Sequence, residues 1–477
     1  MSLFDSNGRL IATQAASYPV EIPQPGWAEQ DPAAWWQSVC RLGPEVVPAG
    51  LSAGLTGICV SGQTPLCAPF DAQGNPLRKA ILWLDRRATA QVNWLDESLG
   101  EAHCRQVSAN RLDSYFGGVK WLWYRQAEPE LFQRTWKILQ ASSYITWKLT
   151  GQVVVDPSQA GLCSPCFNHA AGQWDEAICQ AMGIPLELLP EIRPAQAVIG
   201  SITLAAALAT GLPEGTPVVC GGGDFALACL GAGVTGRGRA ALMLGTAGNL
   251  LLPGVFNTDA RLLHTWHVTG QPLTFGGVMA GGNLSWFGGL YGAVDGDFFA
   301  LMDEEAALVP AGSEGLVFLP YLMGERTPVW DAEARGAFVG LSSRHTRAHL
   351  YRAILEGVAF GFRQILEIVG ADLGLEAIVA IDGGARSVLW RSILAATLDR
   401  PVCQGGQRSG TALGAAFLAA YGVGAVDSFD AIEDWMELSA ATLPDPAARR
   451  RYDTLFPVYA GLYPKLKADF AVLNKAS

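Results

Sequence analysis

The chain has 477 residues, of which 50% are hydrophobic and 16% are charged, and these proportions exclude a disordered polypeptide. At roughly 100 to 200 residues per domain, this length predicts two or three domains with hydrophobic cores. A net charge of −11 argues against binding to nucleic acid or to an anionic membrane. The first residues carry no secretory signal, and no apolar run reaches the ~18 residues of a membrane span. With ten cysteines scattered without a repeated spacing, these features predict a cytoplasmic protein with reduced thiols.

The first half of the chain mixes strands and helices. Apolar runs at residues 3–4 and 10–12 flank a turn-forming cluster, which predicts a hairpin. Residues 57–60 form a buried-strand pattern, and residues 119–150 read as helical with an interruption at Pro129. Further predicted elements are a helix at 32–40, a hairpin around 71–83 and a strand at 216–220.

The second half begins after a stretch in which Gly and Arg alternate, and we place a domain boundary there, between residues 235 and 236. Apolar runs at 240–244 and 249–252 predict a third hairpin. Thr346 is a suitable N-cap for a long amphipathic helix. The remaining predicted elements are a strand at 375–381, a turn at 382–385, a helix at 387–398 and a final helix that starts at Asp445 and Pro446 and kinks at Pro457.

Asp224 stands out because it follows a strand pattern and three glycines at residues 221–223. Glycines allow a ligand or a backbone to approach closely, and an acid at the end of a strand can face a cleft. Asp224 is therefore a candidate general base. The pattern fits a helix N-cap equally well, because residues 225–230 look helical and Asp is a favoured capping residue.

Two glycine-rich loops could bind phosphate or a nucleotide. Gly245 and Thr246 lie in the turn of the third predicted hairpin, where backbone N–H groups and the Thr hydroxyl could hold an anion. Gly384 and Ala385 precede a predicted helix, whose N-terminus favours anions. Together the loops suggest a nucleotide, although each one alone could be an ordinary turn.

Several other patterns carry no functional prediction. Residues 231–236 spell G-x-G-x-x-G but follow a helix and precede a strand, the wrong order for a dinucleotide site, and no Walker A sequence is present. Cys163 and Cys166 have a redox-like spacing without a second pair, so a structural role is favoured. His345 and His349 lack the rest of a zinc motif, and we predict no metal-ligating residues.

The segment at residues 83–87 offers a ring, a carboxylate and guanidinium groups close together. Trp83 could stack on the CH face of a sugar, and Asp85 could accept hydrogen bonds from its hydroxyls. The alternative is a surface salt bridge beside a core tryptophan.

Several motifs resemble those of the FGGY carbohydrate kinases, especially the xylulokinase-like branch. The likeness covers nearly the whole chain in the order of that family, and its motifs are specific. They lie at residues 26–32, 221–224, 245–246, 280–286, 324–328, 330–331, 334–340, 345–349, 356–360 and 383–387.

The resemblance implies an α/β fold with two ribonuclease-H-like domains of the actin and hexokinase superfamily flanking a cleft. Residues 1–235 would bind the sugar and residues 236–477 would bind ATP. The implied reaction transfers the γ-phosphoryl group of Mg-ATP to a hydroxyl of a ketose or polyol, with sugar and ATP as small-molecule partners. A homodimer is implied by family analogy only.

The resemblance also assigns roles by position. Asp224 would take the proton of the sugar hydroxyl. Gly245 and Thr246 would contact the nucleotide phosphates, and the sugar would lie against Trp83 and Asp85. The adenosine pocket would be lined by Gly281, Gly384 and Ala385, and the remaining sugar contacts would come from Gln63, Thr64 and Pro65.

Three features depart from the family pattern. The chain starts at what resembles the second strand of the first hairpin, so that a central strand and the first phosphate loop are expected to be missing and activity impaired. An added upstream segment of roughly 15 residues, two strands and a turn, is then expected to raise activity. Thr64 and Pro65 stand where xylulokinases usually carry Met-His, and Phe225 stands where Asn is common. The resemblance makes D-xylulose the leading substrate, and the alternative substrates are gluconate or a deoxy sugar. The chain could instead be an impaired sugar-binding or regulatory paralogue. The segment at residues 83–87 argues against an actin-like ATPase.

Overall fold

The computed structural model describes residues 1–52, 54–292, 295–370, 373–406 and 410–476. The chain divides into two compact units. The first unit comprises Met1–Thr235, His264–Leu273 and Arg408–Met436, and the second comprises Gly236–Leu263, Thr274–Gln407 and Glu437–Ser477. Two segments beyond residue 235 therefore belong to the first unit, whereas the sequence predicts a single division between residues 235 and 236.

The first unit contains short strands in two-stranded sheets surrounded by helices. The predicted N-terminal hairpin is confirmed, because Ser2–Phe4 pairs antiparallel with Leu10–Thr13. Its other strands are Glu29–Gln30, Ser61–Gly62, Ala68–Phe70, Ala80–Ile81, Lys137–Leu139, Val154–Val155, Phe167–Asn168, Gln173–Trp174, Glu191–Ile192, Val198–Ser201, Pro217–Val219 and Gly222–Gly223.

The helices of the first unit include the predicted one at residue 32. There Asp31 caps the helix by accepting a hydrogen bond from Ala33 N, and Pro32 occupies the first turn, where a missing N–H costs nothing. The helices are Pro32–Val46, Ala49–Ser52, Thr89–Leu99, Glu101–Ser108, Gly117–Ala127, Pro129–Gln133, Ala141–Thr150, Pro157–Ala160, Glu176–Ala181, Leu204–Thr210, Asp224–Gly231 and Thr411–Gly422, with 3₁₀ turns at Leu186–Leu188 and Phe429–Trp435.

The prediction of helical structure across residues 119–150 is wrong in one part. Pro129 does interrupt the helices, since it begins the short helix Pro129–Gln133. The strand Lys137–Leu139 then separates this helix from Ala141–Thr150. This strand forms because it pairs antiparallel with Ala68–Phe70, a non-local contact that overrides local helix propensity.

A cavity of about 1250 Å³ lies within the first unit. Its walls are mostly apolar and include Leu3, Ile58, Val60 and Ala416, all of which are half-buried. Ile58 forms a parallel bridge with Val218. In the described part of the chain, Ser2–Phe4 pairs only with Leu10–Thr13. The N-terminal hairpin and residues 57–61 thus both border an unfilled apolar space.

The second unit is built on a larger sheet. Five of its strands lie side by side in the order Pro272–Met279, Ala247–Pro253, Arg239–Leu244, Ala377–Ile381, Val402–Gln404. The predicted hairpin is confirmed by the antiparallel pairing of Arg239–Leu244 with Ala247–Pro253. Arg239–Leu244 also pairs in parallel with Ala377–Ile381, so the carboxyl ends of these two strands lie at the same edge of the sheet.

The helices of the second unit pack on this sheet around a buried core. Thr346 and His349 form the capping box of Arg347–Val369, which confirms the predicted N-cap. The C-terminal helix Pro446–Ala476 continues without a break through Pro457, where the sequence predicts a kink. The helices are Gly281–Leu290, Gly296–Ala307, Arg347–Val369, Val388–Leu398 and Pro446–Ala476, with 3₁₀ turns at Ser313–Gly315 and Gly383–Arg386, and the remaining strands of this unit are Val317–Leu319 and Ala337–Val339. All residues of the strand Leu263–Trp266 except Leu263 belong to the first unit.

All ten cysteines lie in the described part of the chain, and none of them forms a disulfide. Burial raises the pKa of several of them, including the thiol of Cys163, so these thiols stay protonated and unreactive. Among the described helices, none is both long and apolar enough to span a bilayer.

Candidate active site

Asp224 is the first residue of the helix Asp224–Gly231. The N-cap position is occupied by Gly223, with φ −64° and ψ 142°, so the interpretation of Asp224 as the N-cap is wrong by one residue. Phe225 N donates a hydrogen bond of 2.7 Å to Asp224 Oδ1. The rest of this helix is buried, whereas the side chain of Asp224 is accessible to solvent. A single carboxylate therefore faces out from the start of a buried helix.

The protein surroundings of Asp224 change its acidity. Desolvation by neighbouring protein atoms raises its pKa from 3.8 to about 6, and the hydrogen bond from Phe225 N opposes this only in part. A carboxylate with this pKa is mostly ionised at pH 7 and is a stronger base than an ordinary aspartate. These are the properties of a general base that works near neutral pH.

The backbone before Asp224 is fixed on two sides. Gly222–Gly223 pairs in parallel with Ser61–Gly62, and Thr411 Oγ1 donates a hydrogen bond of 3.2 Å to the carbonyl oxygen of Asp224. Gly221 has φ 79°, and a Cβ there would collide with the carbonyl oxygen of Val60. This position requires glycine for both reasons.

Gln63 and Thr64 lie near this strand end. Gln63 Nε2 donates to Gln30 Oε1 at 2.7 Å, and Thr64 Oγ1 donates to Gln140 Oε1 at 3.0 Å. A Cβ on Gly223 would lie 3.3 Å from the Thr64 methyl group and 2.8 Å from the Phe225 ring. The structure thus brings Thr64 and Phe225 together beside the residue that precedes Asp224, and the adjacent Pro65 is buried.

Trp83 and Asp85 have different surroundings. Trp83 is half-buried, whereas Asp85 is fully buried. Asp85 accepts hydrogen bonds from Ala28 N at 2.6 Å and from the backbone and guanidinium of Arg87. Arg87 also pairs with Glu29 at 2.7 Å. The ion pair that the sequence suggested at the surface is instead an internal one, and both oxygens of Asp85 are used within it.

The five residues predicted to bind nucleotide lie in the second unit, at the carboxyl ends of the parallel strands. Gly281 N donates to the carbonyl oxygen of Gly245 at 2.8 Å, and Gly282 N donates to that of Thr246 at 3.0 Å. Gly384 lies against the end of the neighbouring strand, since a Cβ on it would be 2.9 Å from Leu244 Cβ. Gly245, Thr246 and Gly281 are therefore adjacent, and Gly384 and the buried Ala385 lie at the same edge.

The sequence predicts Asp382 only as a residue of the turn at 382–385. It has the left-handed φ of 71°, which is uncommon for a residue other than glycine. Its Oδ2 lies 3.6 Å from where a Cβ on Gly245 would be, and burial raises its pKa. Asp382 directly follows the buried strand Ala377–Ile381. This position could have identified it as a site residue, because ligands bind at the carboxyl ends of parallel strands.

The glycine run at 231–236, the cysteine pair and the histidine pair, for which no function was predicted, all make local structural contacts. Residue 231 ends a helix, which confirms that the G-x-G-x-x-G run is in the wrong order. Cys163 Sγ lies 3.5 Å from Gln140 Nε2. His349 Nδ1 accepts a hydrogen bond from Thr346 N at 3.2 Å. Each has a local role in packing or capping.

Comparison with known proteins identifies relatives over nearly the full chain. Residues 1–231 match the N-terminal domain of the FGGY family of carbohydrate kinases, and residues 263–423 match its C-terminal domain. The xylulose kinase of Bacillus subtilis is 31% identical, covering 98% of this chain and 94% of that relative. The glycerol kinase of Thermus brockianus is 34% identical, covering 94% of this chain and 92% of that relative.

A solved structure supports the same assignment. The xylulose kinase of Rhodospirillum rubrum superposes with a TM-score of 0.89 at 32% identity, covering 98% of this chain and 97% of that one. This similarity confirms the two-domain fold that the sequence motifs imply. The chain therefore belongs to the FGGY family of carbohydrate kinases, which are phosphotransferases that act on sugar hydroxyls.

Proposed function

We propose that this chain transfers the γ-phosphoryl group of Mg-ATP to a hydroxyl of a ketose or polyol, with D-xylulose as the leading substrate and Asp224 as the base. The observation that carries this proposal is the accessible carboxylate at the start of a buried helix, with its pKa raised to about 6. The xylulose kinases among its relatives support the choice of sugar.

Asp224 accepts the proton of the reacting hydroxyl, which makes the sugar oxygen a better nucleophile toward the γ-phosphorus. Its carboxylate is held by the hydrogen bond from Phe225 N. Phosphoryl transfer has a loose transition state, so that positioning and charge neutralisation supply most of the acceleration. The fixed backbone on either side of Asp224 supplies the positioning.

The nucleotide binds to the second unit. Gly245 and Thr246 contact the phosphates, since the Thr246 side chain is exposed and glycines let phosphate oxygens approach the backbone. Gly281, Gly384 and Ala385 line the adenosine pocket. This assignment rests on their common location at the carboxyl edge of the parallel strands, where open α/β sheets bind ligands.

The residues present fit a magnesium ion. Mg²⁺ in such enzymes is held by one or two carboxylates together with substrate phosphates. Within the second unit, Asp382 provides an accessible carboxylate whose Oδ2 lies 3.6 Å from where a Cβ on Gly245 would be, and within the described residues no cluster of three or more ligating side chains exists that would form a cage. When bound, the ion neutralises charge on the transferred phosphoryl group.

The sugar contacts Gln63, Thr64, Pro65 and Trp83, while Asp85 is buried in its ion pair with Arg87 and makes no direct contact. Thr64 and Phe225 present a methyl group and a ring beside Gly223. This apolar wall favours a second candidate substrate, a deoxy sugar, because a site without hydrogen-bonding partners does not reward an additional hydroxyl.

A second candidate function is a catalytically impaired sugar-binding paralogue. The cavity that residues 57–63 help to line favours it, because side chains that border a cavity lose packing contacts on that side. Measured turnover separates this possibility from an active kinase.

The predicted partners are small molecules, a sugar and ATP. The cytoplasmic location and the homodimer inferred from the family remain predictions. Light scattering of the purified chain tests the dimer, and cell fractionation tests the location.

The experiment is a coupled ADP-release screen over pentuloses, hexuloses, polyols and aldonates. We expect sugar-dependent turnover with a ketose and its loss in Asp224→Ala. Full turnover in Asp224→Ala would show that another residue is the base. Sugar binding by calorimetry without turnover would support the impaired paralogue.

A further inference from the structure

Ser158 is a fully buried residue of the first unit whose hydroxyl reaches the backbone next to Asp224. Gly223 N donates a hydrogen bond of 3.0 Å to Ser158 Oγ. Ser158 is 65 residues away in sequence, and its side chain has no exposed surface. The hydroxyl therefore cannot touch a substrate, and any effect on the reaction must pass through Gly223.

The position of Ser158 is fixed by the start of its own helix. Asp156 caps the helix Pro157–Ala160 and accepts a hydrogen bond of 2.9 Å from Ser158 N. The Ser158 hydroxyl also hydrogen-bonds the Asp156 carboxylate, and Gln159 Nε2 donates to the same carboxylate at 2.9 Å. Because the hydroxyl proton points to Asp156, a lone pair of Ser158 Oγ is free to accept from Gly223 N.

A third contact fixes Ser158 from the other side. Thr265 Oγ1 donates to the carbonyl oxygen of Ser158 at 2.7 Å. A Cβ on Gly222 would lie 2.6 Å from Val268 Cγ1 and 3.4 Å from Ser158 Oγ. The glycine strand is thus seated directly on Ser158 and Val268, and it has little room to move toward them.

Gly223 is the residue immediately before Asp224, so a shift of its backbone moves the carboxylate. We propose that Ser158 is a positioning residue for phosphoryl transfer: its hydroxyl fixes Gly223 and thereby aims the Asp224 carboxylate at the reacting hydroxyl. This inference rests on the proposed role of Asp224 as the base. A displacement of about 1 Å can reduce a rate by about 100-fold.

The test compares four single variants in the full chain with the ketose that gives turnover. Ser158→Ala removes the acceptor, and Ser158→Cys keeps a similar shape with a weak acceptor. Ser158→Thr retains the hydroxyl. Ser164→Ala is the matched control, because Ser164 is also fully buried and donates to Ser108 Oγ at 2.8 Å. Thermal unfolding of each variant is recorded alongside kcat and KM.

We expect Ser158→Ala and Ser158→Cys to lower kcat by about 10-fold or more while the KM for sugar changes by less than about 3-fold. Ser158→Thr should recover at least half of the wild-type kcat, and Ser164→Ala should stay near wild type. The inference is overturned by an unchanged kcat in Ser158→Ala, by an equal loss in Ser164→Ala, or by a rise in KM alone. Should Ser158→Ala not fold, the Cys variant carries the same comparison.

The activities of Asp224→Ala and Ser158→Ala separate an error in the role of Ser158 from an error in the assignment of the base. If Asp224→Ala is inactive while Ser158→Ala is fully active, only the positioning role is wrong. If Asp224→Ala retains turnover, the assignment of the base is wrong whatever Ser158 does.

Discussion

Arg87 and Asp85 form an ion pair inside the first unit, with Nη2 2.7 Å from Oδ2 and with side chains that are 1% and 0% exposed. Arg87 also lies over the Trp27 ring at 3.5 Å. Replacing Arg87 with Ala would leave Asp85 charged and buried, and breaking such a pair costs about 3–5 kcal/mol. We expect Arg87→Ala to lower the free energy of unfolding by about that amount, measured by urea denaturation.

The neighbouring Arg86 provides the control. It pairs with Asp113 at 2.5 Å but is 41% exposed, so Arg86→Ala should cost no more than about 1 kcal/mol. Equal costs for both variants would contradict the internal role of Arg87. If Asp85 instead contacted the sugar directly, Asp85→Asn would raise the KM for sugar without a loss of stability.

The raised pKa of Asp224 predicts how activity depends on pH. The carboxylate must be ionised to accept a proton, and its pKa is about 6. We expect kcat/KM to fall tenfold per pH unit below about pH 6 and to level off above it. The measurement is kcat/KM from pH 4.5 to 8 with pH-independent coupling enzymes. An acid limb near pH 4, the ordinary range of aspartate, would contradict the desolvated environment.

Gly383 and Gly384 provide a matched pair at the predicted adenosine pocket. A Cβ on Gly384 would lie 2.6 Å from the buried Trp390 ring, whereas a Cβ on Gly383 meets nothing within 4 Å. Gly384→Ala must therefore displace the turn, and we expect the KM for ATP to rise by about tenfold, the equivalent of about 1.4 kcal/mol. Gly383→Ala should change it by less than about twofold. Steady-state kinetics at saturating sugar measure both, and similar KM values would place the nucleotide elsewhere.

Glu325 predicts a loss of stability in alkaline solution. Desolvation raises its pKa to about 8, far above its ordinary value of 4.5, and its Oε2 is buried without a hydrogen-bond partner among the described residues. Between these pH values the folded state holds a proton that the unfolded state has released, so the free energy of unfolding falls as the pH rises. The full loss is reached above pH 8.

Removing this charge should remove the pH dependence. We expect Glu325→Gln to have the higher Tm at pH 9 and a smaller advantage near pH 5, measured by differential scanning calorimetry. The exposed Glu333 is the control, and Glu333→Gln should follow the wild-type curve. A Glu325→Gln curve that parallels wild type would show that the carboxylate is solvated.

Local signals in the sequence predicted the features that depend on neighbouring residues. The N-cap at Thr346 and the helix predicted at residues 387–398 need only residues close by in sequence. Features that depend on distant residues were missed. Lys137–Leu139 is a strand because it pairs with Ala68–Phe70, and no property of its own residues indicates this.

In the candidate site, too, the sequence predicted what depends on nearby residues and missed what depends on distant ones. Asp224 was found because a strand, three glycines and an acid are contiguous in sequence. Ser158 was not, because it reaches Gly223 across 65 residues. The burial of Asp85 was also hidden, since its partner Ala28 N is 57 residues away. The two glycine-rich loops proposed to bind the nucleotide were also found, and the parallel strands of the second unit explain why they lie at one edge of the sheet.

The cavity in the first unit affects how this unit responds to heat. Its apolar lining includes Leu3, Ile58 and Val60, which are half-buried and so remain partly accessible to solvent before any unfolding occurs. Denaturation therefore transfers less new hydrocarbon into water than it would from a closed interior, and the heat-capacity increment shrinks in proportion. A flatter stability curve follows for the first unit, in which the free energy of unfolding declines more gently on both sides of its maximum.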